Sequence, residues 1–102
     1  MKVLFHTPGV KPTKKLTEFA AKKVEMLSRM HNHIIECHVH LKKIKSDTPD
    51  NKICEILLSV PGNDLFASKK YSTFQEALIK AVDAIKRQIK DNKPENQVTT
   101  PL

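Results

Sequence analysis

The hydrophobic positions in the last third of the chain recur at helical spacing. From Tyr71 to Lys93 the apolar residues follow i, i+3/i+4, i+7 steps, which places them on one face of an amphipathic helix. Thr73, with Glu76 in the capping-box position, predicts where this helix begins, and Pro94 predicts its end because proline cannot continue a helix. The predicted apolar face consists of Phe74, Leu78, Ala81, Val82, Ile85 and Ile89.

A second segment of helical periodicity lies near the N-terminus. Thr13 can cap a helix that runs from Lys14 to about Met30, where Asn32 and His33 interrupt the pattern. Its predicted apolar face consists of Leu16, Phe19, Ala20, Val24, Leu27 and Met30. Lys23 breaks the pattern, because it lies on the flank of this face and must extend its stem along apolar surface.

The remaining segments read as strands. A short β-type run spans Lys2 to His6, and clean alternation from Ile34 to Lys43 predicts a half-exposed strand. Further strands are expected from about Lys52 to Val60 and, after the turn at Pro61-Gly62-Asn63, from Asp64 to Lys69. The predicted inward residues are Ile35, Cys37, Val39 and Leu41 in one strand and Cys54, Ile56, Leu58 and Val60 in the next.

These elements follow the order β-α-β-β-β-α, and the strands after the first helix are joined by turns, so they should be antiparallel. The economical architecture is an α+β two-layer sandwich, with one sheet and two helices on one face. We expect residues 1–93 to form a single domain and residues 94–102 a short flexible tail.

The charge balance favours a polyanionic partner. Eighteen Lys and Arg against eleven Asp and Glu give a net charge of +7 and a pI near 9.5, which points first to nucleic acid. Aromatic residues are scarce, so contacts to phosphates are favoured over base stacking. Without a signal peptide or a membrane-spanning run, the protein is expected in the cytoplasm, away from membranes.

Candidate catalytic and metal-binding groups are few. His38 and His40 share one face of a strand, but without a third ligand on that face we expect solvated histidines and no metal or cofactor. Cys37 and Cys54 are predicted inward on adjacent strands, where they could approach each other as reduced, buried thiols. No nucleophile elbow, glycine-rich phosphate loop or carboxylate pair is present, so an enzyme is not expected.

Three stretches of this chain resemble the ribosome hibernation promoting factor family, which includes the ribosome-associated inhibitor and the ribosomal subunit interface proteins. They are T-x-x-L followed by F-A-A-K-K-V, then V-P-G-N-D-L-F-A-S-K-K, and finally F-Q-E-A-L-I-K-A-V-D-A-I-K-R-Q-I-K. The resemblance covers about residues 2–93. It implies the same fold, similar to double-stranded RNA-binding domains. It also implies a factor that enters the channel of the small ribosomal subunit, contacts its rRNA and occludes the tRNA and mRNA sites of idle ribosomes.

The resemblance and the basic helix face together predict an RNA-binding set. Its members are Lys22, Lys23, Lys69, Lys70, Lys80, Lys86, Arg87, Gln88, Lys90 and Lys93. Lys69 and Lys70 are expected in the connection between the last strand and the last helix. Many relatives read D-K-L-E-R-Q where this chain has Asp83 to Gln88, and they often carry Lys at Met26. The placement of charge has therefore moved while its total is roughly kept.

Longer relatives carry a second domain that pairs ribosomes, whereas this chain resembles the short form. Such forms are associated with a separate small dimerising factor, and we expect a monomer on the ribosome. Two other functions stay open at this stage. One is a generic double-stranded RNA-binding module, and the other is an adaptor that docks an acidic protein, with exposed Ile79 as its sequence hint.

Overall fold

Strands and helices follow the predicted β-α-β-β-β-α order. The computed structural model describes residues 1–91, so Lys93 and the predicted tail at 94–102 lie outside the described residues. The elements are β1 (Lys2–His6), α1 (Lys14–Ser28), β2 (Glu36–Lys43), β3 (Lys52–Ser59), β4 (Leu65–Tyr71) and α2 (Phe74–Asp91).

The four strands form one mixed sheet in the order β1-β2-β3-β4. Strand β3 pairs antiparallel with β2 on one side and with β4 on the other, as predicted. Strand β1 lies parallel to β2, because α1 provides the crossover between them. Strands β1 and β4 are therefore the two edges of the sheet. This register decides which side chains share a face.

One face of the sheet and both helices enclose the core. The alternate residues Cys37, Val39 and Leu41 of β2 and Cys54, Ile56 and Leu58 of β3 are buried against the apolar faces of α1 and α2. All six predicted apolar residues of α2 are packed in this core, with Phe74 at its margin. The prediction for Ile35 is wrong, because it precedes β2 and its side chain is 58% exposed, while Ile34 packs against the core.

Local hydrogen bonds explain where the helices begin and end. The hydroxyl oxygen of Thr13 accepts from the backbone N–H of Leu16 at 3.1 Å, and that of Thr73 accepts from Glu76 at 3.1 Å. Each such cap contributes about 1 kcal/mol. Helix α1 ends at Ser28, before the predicted Met30, because the backbone tightens into i→i−3 hydrogen bonds there.

Strand β4 extends further than predicted. It runs to Tyr71 because Lys70 and Tyr71 still pair with Ile53 and Lys52 of β3. The turn before it is formed at Pro61-Gly62, where Gly62 has a φ of +89°, a conformation that other residues rarely adopt. Within residues 1–91, neither helix is long and apolar enough to cross a membrane.

Candidate nucleic-acid interface

The face of α2 that points away from the core is basic. Lys80, Arg87 and Lys90 are exposed along it and Lys86 is half-buried at its side. Asp83 lies among them, since i, i+3, i+7 and i+10 positions share one face, and Glu76 and Asp91 lie on the same face in the first and last turns of the helix. The cations nearest the end of the helix also lie where its dipole favours positive charge.

Two of the four lysines of helix α1, Lys22 and Lys23, belong to the predicted RNA-binding set and lie in the same layer. Lys22 is exposed, whereas Lys23 is half-buried with its ammonium nitrogen 5.6 Å from the ring centroid of Phe19. This cation–π contact keeps the charge at the edge of the apolar face, which confirms the flanking position predicted for Lys23. The contact also gives this lysine a structural reason for breaking the helical pattern.

Lys69 and Lys70 do not lie in the connection before α2, because both belong to β4. Consecutive strand residues point to opposite faces. Lys69 pairs with Cys54, whose side chain is buried on the helix side, whereas Lys70 pairs with Ile53 and faces away from the helices. We therefore define the basic surface as those cations of the predicted RNA-binding set that lie on the helix side of the sheet: Lys22, Lys23, Lys69, Lys80, Lys86, Arg87 and Lys90.

The side-chain amide of Gln88 forms hydrogen bonds within the protein. Its Nε2 donates to the backbone carbonyl of Phe66 at 2.7 Å, and its Oε1 accepts from the backbone N–H of Phe66 at 3.2 Å. Both polar atoms of the amide therefore bind β4. This arrangement favours a structural role for Gln88 over the RNA contact expected from its position in the sequence.

The sheet face opposite the helices carries a histidine cluster that the sequence did not reveal. The expectation that His38 and His40 have no third ligand on their face is wrong, because the parallel register of β1 and β2 places His6 opposite His40. Nitrogen atoms of these three side chains all lie within 4.8 Å of one another. His6 could be recognised as the third histidine of the cluster only from the pairing of β1 with β2, and the periodicity of the sequence does not show that pairing.

The two cysteines are buried on the core side, as predicted, but they are not neighbours. Cys37 pairs with Leu58, and Cys54 pairs with Leu41, so the two lie four register positions apart. At ~3.3 Å per residue this is about 13 Å along the strands, well beyond the ~7 Å Cα separation that a disulfide can bridge. Burial raises the pKa of Cys37 to about 11 and that of Cys54 to about 12, so both are unreactive thiols.

Comparison with protein families agrees with this architecture. A family model described as Sigma 54 modulation protein / S30EA ribosomal protein matches residues 3–97. The chain belongs to this family, which confirms the resemblance to hibernation factors and ribosomal subunit interface proteins. It is thus a ribosome-associated protein of translation regulation, in a family of ribosome-binding factors rather than of enzymes.

Solved structures share the fold. The N-terminal domain of Protein Y from Thermus thermophilus superposes with a TM-score of 0.76 at 19% identity, covering 91% of this chain and 100% of that domain. A ribosomal subunit interface protein from Coxiella burnetii gives a TM-score of 0.75 at 17% identity, covering 89% of this chain and 96% of that protein. Among curated protein sequences, none matches the chain.

Proposed function

We propose that the protein binds the small ribosomal subunit in the channel for tRNA and mRNA, through the basic surface, and so inhibits translation by idle ribosomes. The observation that carries this proposal is the family match over residues 3–97 in a chain whose helix layer presents exposed cations. Inhibition is by steric occlusion, since a bound domain fills space that the tRNA and mRNA must occupy.

The binding energy comes from phosphate neutralisation. Cations held on two packed helices meet an RNA backbone without unfolding or reordering, and each contact releases condensed counterions. Arg87 can engage a phosphate with two parallel hydrogen bonds, whereas the lysines act as point charges. Recognition then depends on the shape of folded rRNA, because an RNA helix hides its base edges in a deep, narrow groove.

The protein acts as a monomer in the cytoplasm, where ribosomes are found. The separate small dimerising factor associated with short family members is its candidate further partner.

Charge reversal on the basic surface tests the proposal. We choose Lys22→Glu, Lys80→Glu and Arg87→Glu together, because all three side chains are exposed and glutamate is a good helix former. Lys23 is left intact, since its packing over Phe19 would mix an effect on stability with one on binding. Binding to purified small subunits, measured by co-sedimentation, should fall below detection at moderate salt.

The matched control reverses Lys2, Lys45 and Lys70, which are exposed and lie in the sheet or a loop rather than in the helix layer. Each triple variant lowers the formal net charge by six, from +7 to +1, so the two differ only in where charge is lost. The control should retain most of its binding. If both folded variants lost binding to the small subunit equally, binding would depend on net charge rather than on the basic surface, which would contradict the proposed site.

A further inference from the structure

Three histidines and one glutamate converge on the face of the sheet that points away from the helices. His6 ends β1, and the parallel register sets it opposite His40, while His38 lies two residues before His40 on the same face of β2. All three side chains are half-buried. Their ring nitrogens lie within 4.8 Å of one another, so the backbone already brings three imidazoles to one point.

Hydrogen bonds fix which nitrogens face the centre of the cluster. Nε2 of His38 lies 3.1 Å from a carboxylate oxygen of Glu36. A carboxylate only accepts, so Nε2 of His38 donates to Glu36, and its other ring nitrogen, Nδ1, faces Nε2 of His6, 2.9 Å away. A carboxylate behind an imidazole N–H is the arrangement that orients metal-ligating histidines and raises their basicity.

The third imidazole is that of His40, which lies opposite His6 in the parallel register. Its ring is stacked on that of His6, with the centroids 4.5 Å apart. Tetrahedral Zn–N bonds of ~2.0–2.1 Å require nitrogens about 3.3 Å apart, so the rings must move closer than their present limit of 4.8 Å when the ion binds.

The donor set selects the class of metal. Imidazole nitrogen suits Zn²⁺, Cu²⁺ and Ni²⁺, whereas Mg²⁺ and Ca²⁺ prefer oxygen ligands. Glu55, which is opposite His40 in β3, is occupied by the ammonium of Lys42 at 2.9 Å and the hydroxyl of Ser68 at 3.4 Å. Three histidines thus remain as ligands, which leaves the fourth position of a tetrahedral ion to water.

We propose that His6, His38 and His40 form a Zn²⁺ site, with Glu36 holding the ring of His38 in its ligating orientation. The site lies on the sheet face opposite the helix layer and is independent of the proposed ribosome binding. Since it joins β1 to β2, bound Zn²⁺ fastens the N-terminal edge strand to the rest of the sheet. On this account bound Zn²⁺ raises the stability of the folded state by mass action.

The test is a titration of the full chain with ZnCl₂ in competition with a chromophoric chelator. The wild type should bind one Zn²⁺ per chain, and excess ZnCl₂ should raise its melting temperature relative to EDTA. Glu36→Gln keeps all three imidazoles and should weaken Zn²⁺ binding about 10–100-fold. The variants His6→Gln, His38→Gln and His40→Gln should each weaken binding more than Glu36→Gln, and each should lose the Zn²⁺-dependent rise in melting temperature.

The chain provides its own control in His31 and His33, which contact each other in the loop between α1 and β2. A double His31→Gln, His33→Gln variant removes two imidazoles and should bind Zn²⁺ like the wild type. Melting curves in EDTA show whether each variant is folded before its affinity is compared. Two results would overturn the site. One is that the wild type binds Zn²⁺ no more tightly than a folded variant with His6, His38 and His40 all replaced by Gln. The other is that the His31, His33 control loses as much Zn²⁺ affinity as the variants of the site.

Discussion

The amide of Gln88 in α2 completes the hydrogen bonding of Phe66 at the free edge of β4. It accepts from the N–H of Phe66 and donates to its carbonyl, at 3.2 and 2.7 Å, as a neighbouring strand would. Within residues 1–91 strand β4 pairs with β3 alone, and the Phe66 backbone groups that bind Gln88 lie on its other edge. The contact fastens the helix that carries most of the basic surface to the sheet, and it covers an edge that could otherwise pair with another chain.

We expect Gln88→Ala to lower the free energy of unfolding by about 1–3 kcal/mol, because it removes two hydrogen bonds worth roughly 0.5–1.5 kcal/mol each. Chemical denaturation measures the change. Gln75→Ala is the matched control, since Gln75 is exposed in the first turn of α2 and the substitution has the same effect on helix propensity. If Gln88→Ala were as stable as the wild type but bound ribosomes more weakly, Gln88 would be an RNA contact instead.

Asp83 lies among the cations of α2 and opposes their attraction for phosphate. Asp83→Asn removes that charge while keeping the side chain's size, so ribosome binding should tighten roughly fivefold at low salt, equivalent to about 1 kcal/mol. The gain should shrink as salt screens the surface. Asp47→Asn, in the exposed loop between β2 and β3, makes the same charge change away from the basic surface and should leave affinity nearly unchanged. Weaker binding by Asp83→Asn would show that this carboxylate positions a cation rather than repelling RNA.

The thiols should resist modification in the folded protein. A pKa of about 11 for Cys37 leaves roughly one thiolate in a thousand at pH 8, and the fraction is smaller for Cys54, whose pKa is about 12. Iodoacetamide at pH 8 should therefore label neither cysteine until denaturant unfolds the chain, as mass spectrometry of the intact protein would show. Rapid labelling of the native state would mean that the sheet opens on the helix side.

Features set by neighbours along the chain could be predicted from the sequence. The caps at Thr13 and Thr73, the inward set of β3 and the apolar face of α2 all follow from spacing, because each depends on residues within one turn or one strand. The prediction failed where spacing does not decide the outcome. Periodicity assigns Ile35 to one face of the sheet, but it does not say whether a helix covers that end of the sheet. The side chain of Ile35 is in fact 58% exposed.

The parts of the site that escaped prediction depend on contacts between distant segments. Gln88 reaches a strand 22 residues earlier, and His6 meets its partner His38 across 32 residues. Strand pairing also separates two adjacent lysines. Lys69 pairs with Cys54 and Lys70 pairs with Ile53, so the two lysines lie on opposite faces of the sheet. The sequence analysis placed Gln88, Lys69 and Lys70 in one RNA-binding set, whereas the fold gives these three residues different surroundings.

The most direct test of the account is co-sedimentation of the wild-type protein through sucrose gradients with ribosomes, separated subunits and naked duplex RNA, at low and moderate salt. We expect the protein to move with the small subunit and with whole ribosomes at both salt concentrations, and to bind duplex RNA only at low salt. Binding to duplex RNA alone would indicate a generic RNA-binding module. Binding to neither would contradict RNA recognition by the basic surface and favour an acidic protein partner.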